Sequence, residues 1–106
     1  MIVAFSISPS GEPQPGHARA EDGSVSEAVA AAVAVVRASG LPHRTGSMFT
    51  EIEGEWDEVF AVVKRATEAV EPFGSRISLV LKADIRPGRS GELDGKVTRL
   101  EQALGE

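Results

Sequence analysis

Hydrophobic and polar residues alternate at the start of the chain. Val3, Phe5 and Ile7 form one apolar face, and Ala4, Ser6 and Ser8 a small, more polar one. This predicts a first strand ended by Pro9. Residues 10–23 have no apolar period and carry Gly11, Gly16, Gly23, Pro13 and Pro15 among charged residues, which predicts an exposed loop. Ser24 and Glu27 have capping-box spacing, and Val25, Ala28, Val29, Ala32, Val33 and Val36 then recur at helical spacing. Gly40 is the expected left-handed stop, with Pro42 behind it. A short strand over 43–45 turns through Gly46 and Ser47 into a third strand over 47–54. There Met48, Thr50 and Ile52 point one way, and Ser47, Phe49, Glu51 and Glu53 the other. Gly54 breaks the strand. Glu55, Asp57 and Glu58 load the first turn of a second helix, whose stripe is Trp56, Val59, Phe60, Val63, Ala66 and Val70. A fourth strand over 77–85 sets Ile77, Leu79, Leu81, Ala83 and Ile85 on one face and Ser78, Val80, Lys82 and Asp84 on the other. After the turn RPGRSG, Leu93, Val97, Leu100 and Leu104 predict a third, amphipathic helix.

The order is βαββαβα, two split β-α-β units and a closing helix. It predicts an α+β fold: one domain over 1–106, a ferredoxin-like βαββαβ plait with an additional C-terminal helix. Right-handed crossovers put the two main helices on one face of a four-stranded antiparallel sheet, in the order four, one, three, two. The other face stays open. On it, small residues of strand one make a shallow trough between the longer residues of strands three and four. Such a face is either an interface with another subunit or a ligand pocket built where subunits meet, and the two are compatible.

Composition narrows the chemistry. A chain of 106 residues has room for one core. A net charge of -5 argues against nucleic acid as a partner, which needs a basic face. It suits a neutral or cationic ligand, although solubility alone explains a mild acidic balance. Without cysteine there are no disulfides, no thiol catalysis and no thiolate metal site. The opening MIVAFSI is too short for a signal peptide, no stretch reaches membrane-spanning length, and a cytoplasmic location is expected.

The candidate residues each have a plain reading beside the sharper one. Glu51 and Glu53 share a face and could do acid–base work, but solvation or pairing with a cation is the commoner fate, above all for Glu53. Lys82 and Asp84 repeat that spacing and admit a surface salt bridge. His17 and His43 lack a zinc pattern, so no metal is expected. Trp56 reads as a core or interface anchor. Phe49 beside carboxylates suits a flat cationic ring. The RPGRSG glycines with Arg86 and Arg89 offer an anion cradle but lack phosphate-loop spacing. Ser6 and Ser8 have no Ser–His–Asp arrangement.

The segments MFTEIEGEWDEVF and LVLKADIRPG, with the opening strand MIVAFSISPSG, resemble the small thiamine-binding family related to the YkoF-type proteins. The resemblance spans nearly the whole chain. It implies a ferredoxin-like subunit assembled into a homotetramer, and reversible, non-catalytic binding of thiamine or its hydroxymethylpyrimidine part without a cofactor. Vitamin B1 salvage, transport or regulation is the role it suggests. The positions matching family motifs are Glu51, Glu53, Gly54, Glu55, Asp57, Lys82, Asp84 and Arg86; Glu55 and Asp57 read better as helix-start residues. Residue chemistry adds Ser6, Ser8, Ser47 and Phe49 to Glu51, Lys82 and Asp84 as ligand-binding candidates, through hydroxyl hydrogen bonds, stacking and charge. Two other readings stay open: an enzyme using Glu51, Lys82 and Asp84, and a ligand-free oligomeric regulator.

Overall fold

The computed structural model describes residues 1–17, 26–88 and 91–105. Its elements are β1 (Ile2–Ser10), α1 (Ser26–Ala38), β2 (His43–Thr45), β3 (Thr50–Glu53), α2 (Trp56–Val70), a 3-10 turn (Glu71–Phe73), β4 (Arg76–Asp84) and α3 (Glu92–Gly105). The strands lie in the order β2-β3-β1-β4, every pair antiparallel. This is the predicted α+β plait with its extra helix. Strand alternation decides where the core sits. Val3, Phe5, Ile7 and Ile52 project from one sheet face onto Ala28, Ala32 and Val36 of α1 and Val59, Val62, Val63, Ala66 and Val70 of α2. The i, i+4, i+8 row of α1 is buried in this core, Val35 packs partly against it, and Val29, expected in the stripe, is exposed. Gly40 has the left-handed backbone (φ 76) expected of a helix stop.

Three local readings need correction. Pro9 does not end β1, which pairs with β4 as far as Ser10↔Arg76. The bond from Gly54 N–H to Met1 O shows that odd-numbered residues of β1 direct their backbone groups toward β3. Pro9 therefore lacks its N–H on the side where the β3 ladder has already stopped, at Phe5↔Thr50, and no sheet bond is lost. Secondly, β3 begins at Thr50, because Gly46 N–H donates to Phe49 O (2.9 Å) and closes a hairpin with Ser47 and Met48 at its tip. Met48 is exposed there and has no part in the core face. Thirdly, Trp56 opens α2 at 53 % exposure, stacked on Phe60, and is no core anchor; Val62 is buried instead. The loop after β1 is largely exposed over residues 11–17, as expected, and two contacts tie it down: Gln14 N–H donates to Pro72 O (2.8 Å) and His17 meets Phe73 edge-on.

The capping box expected at Ser24 and the rest of that loop lie outside the described residues, as does Arg89. Instead α2 carries a capping box, between Glu55 and Glu58. Among the described residues no helix is long and apolar enough to cross a membrane.

Candidate functional site

Register sorts the open sheet face into rows. One row is Glu53–Ile2–Asp84, and the next is Glu51–Ala4–Lys82, with Arg44 of β2 beyond Glu51. Further along come Ser6 with Val80, then Ser8 with Ser78. The first row holds α3. The Glu53 carboxylate accepts hydrogen bonds from the backbone N–H groups of Glu92 (2.7 Å) and Leu93 (3.3 Å). It thereby caps a helix whose preceding residue, Gly91, has no side chain to do so. Glu53 is 6 % exposed, so the solvated surface carboxylate expected from the sequence is in fact a buried structural group. At the other end of the row Asp84 takes the ammonium of Lys96. Arg44 pairs with Asp94 (2.5 Å), and Arg99 with Glu92 (2.6 Å), around the same helix start.

So anchored, α3 roofs a cleft of about 200 Å³. Ile2 and Ala4 are its floor, Glu51, Lys82 and Asp84 its walls, and Leu93, Lys96 and Val97 its roof. Glu51 is half-buried and Lys82 exposed, and neither has an ion pair or side-chain hydrogen bond among the described residues. The cleft thus combines apolar surface with one uncommitted carboxylate and one uncommitted ammonium.

The predicted site residues do not all meet there. Ser6, Ser47 and Phe49 line a second, smaller cavity of about 90 Å³ at the hairpin tip, with Thr45, Met48 and the α1 residues Val29 and Val33. This gap opens because β1 continues past Phe5 while β3 does not. Ser8 lines neither cavity. Sequence alternation gives the face of a strand but not how far along it a neighbour extends, so one trough on paper becomes two sites. The roof residues Leu93, Lys96 and Val97 were missed as site residues. Their i, i+3, i+4 spacing was visible, but not the sheet face that α3 covers. Arg86 lies apart from both cavities, near Trp56 and Ile85.

The profile of the thiamine-binding protein family matches residues 3–101. The chain belongs to this family. A UPF0045 protein of Mycobacterium bovis is 45% identical over 105 residues, covering 98% of this chain and 94% of the relative. Among solved structures, a hypothetical protein from Methanocaldococcus jannascii superposes with a TM-score of 0.78 at 27% identity, covering 95% of each chain. A protein from Thermotoga maritima, provisionally described as a thiamine biosynthesis/salvage protein, gives 0.72 at 26% identity, covering 93% of this chain and 96% of that one. The thiamine-binding family thus accounts for nearly the whole chain, including the strand-to-helix stretch 48–60 and the end of β4.

Proposed function

We propose that the protein reversibly binds thiamine, or its hydroxymethylpyrimidine part, in the cleft beneath α3 and does no chemistry on it. Glu51 carries the proposal: a half-buried carboxylate beside apolar Ile2, Ala4, Leu93 and Val97, without an ion pair among the described residues. Thiamine combines a positive thiazolium with a flat aminopyrimidine. A carboxylate of this kind offsets the one or accepts amino protons from the other, and the apolar walls take the ring faces. Asp84 and Lys82 complete the polar lining. Ser6 follows Ala4 on the same face of β1, so a ligand longer than the cleft extends over it toward Ser8, Ser47 and Phe49. The family match supports this reading, and so does the name of the Thermotoga maritima neighbour. We further propose a homotetrameric, cytoplasmic protein of vitamin B1 salvage, transport or regulation. An acid–base trio of Glu51, Lys82 and Asp84 has less support, since Asp84 is paired with Lys96 rather than with either of the others.

Titration calorimetry with thiamine tests the proposal. The Glu51→Gln variant keeps the shape and loses the charge, and its affinity is expected to fall by about ten-fold or more, from a charge-assisted contact of roughly 1.5–3 kcal/mol. No measurable thiamine binding by the parent protein would sink the reading. Ligand recovered chemically altered would favour an enzyme.

A further inference from the structure

Five charged side chains and Lys96 surround the roofed cleft, and four of the six are already engaged. Glu53 holds the first amides of α3, Asp84 holds Lys96, and Arg44 holds Asp94. That leaves Glu51 and Lys82, which face each other across Ala4 in one row of the sheet. Neighbouring strands are about 4.8 Å apart, so the two residues start about 10 Å apart at the backbone. Their side chains do not come within ion-pair distance of each other. The row therefore presents a split pair, negative on β3 and positive on β4, with a small apolar floor between.

From this we infer that the cleft is matched to a ligand with two opposite charges, a cationic heterocycle bearing a phosphate ester, and that Lys82 distinguishes that ester from the free alcohol. The inference rests on the binding reading of the same cleft. A monocation bound against Glu51 lies near an uncompensated ammonium and is repelled by it. A phosphate attached a few bonds from the ring turns that repulsion into a charge-assisted contact. Asp84 does not cancel the effect, because Lys96 already neutralises it. Lys82 is exposed, so its contribution is modest and falls as salt rises.

The test uses the full chain and calorimetry with three probes: thiamine, thiamine monophosphate and inorganic phosphate. The parent protein is expected to bind the monophosphate about five- to ten-fold more tightly than thiamine. In Lys82→Gln monophosphate affinity falls and the preference shrinks to about two-fold or less, while thiamine affinity rises as the repulsion is removed. Such opposite movements do not arise from a general loss of structure, and circular dichroism confirms the fold of the variant. Inorganic phosphate at equal concentration leaves monophosphate binding unchanged. Equal affinity of the parent for the two thiamine forms overturns the inference, as does a preference that survives Lys82→Gln. Displacement of the monophosphate by inorganic phosphate overturns it too, by showing a free-phosphate site. Thiamine binding without phosphate preference defeats this inference alone, whereas failure of both thiamine forms to bind defeats the binding proposal beneath it.

Discussion

Glu53 and Glu51 are the same residue type, two positions apart on one strand face, yet they stand in different chemistry. First-turn amides of a helix have no acceptor within the helix. Glu53 provides one from the sheet and is buried in doing so. Replacing it by Ala strands those amides, and about 1–3 kcal/mol of stability is expected to be lost, read from urea unfolding. Hydrogen exchange at Glu92 and Leu93 is expected to speed up in the same variant. Glu53→Gln retains an acceptor oxygen and loses less. Unchanged exchange at both amides in Glu53→Ala would show that α3 is held by other means. The two glutamates also mark the limit of what was legible beforehand. Alternation puts both on the open face, and both are there. What separates them is a helix start 39 residues further along the chain. A local pattern carries no information on where that helix returns.

Elements were easier to read than their ends. Among the described residues periodicity found the three long helices and the strands β1, β3 and β4, because each has one side that must leave water, whereas β2, three residues with none buried, was placed only by the turn beside it. Ends depend on neighbours. The hairpin bond at Phe49 shortens β3, and a proline passes through β1 because its ring faces a vacant edge. Gly74, between the 3-10 turn and β4, is another such place. A side-chain carbon there would stand 2.5 Å from Ser10 O and 2.9 Å from Ser10 N, so two backbones meet with no room between them. Gly74→Ala is expected to destabilise by about 1–3 kcal/mol through this overpacking. The melting temperature should fall by several degrees, at about 4–8 °C per kcal/mol for a domain of this size. A variant melting with the parent would mean that β1 yields easily at its end.

At the scale of the molecule, α3 lifts away from the sheet. Exposure along its stripe rises from 6 % at Leu93 through 40 % at Val97 and 59 % at Leu100 to 76 % at Leu104. The principal extents, 52 × 30 × 20 Å, reflect an elongated body. An apolar stripe left in water on a small chain calls for a cover, and self-association is the simplest one. Light scattering is expected to give about four times the 11.1 kDa chain mass, and the double variant Leu100→Glu, Leu104→Glu a smaller particle. A parent mass near 11.1 kDa would refute the tetramer. The pairing of β1 has a consequence of another kind, for synthesis. This central strand zips to β4 along nine residues, from Ile2↔Asp84 to Ser10↔Arg76. A chain emerging at about 5–20 residues per second needs on the order of 4–15 s between making the first strand and completing its partner. Through that interval the β4-facing edge of the strand has no partner, and β3, made part-way through it, covers only residues 2–5 of the other edge. Wrong pairing there is the hazard of this topology, and Pro9 does not guard against it, because its missing N–H lies on the opposite edge, the one toward β3.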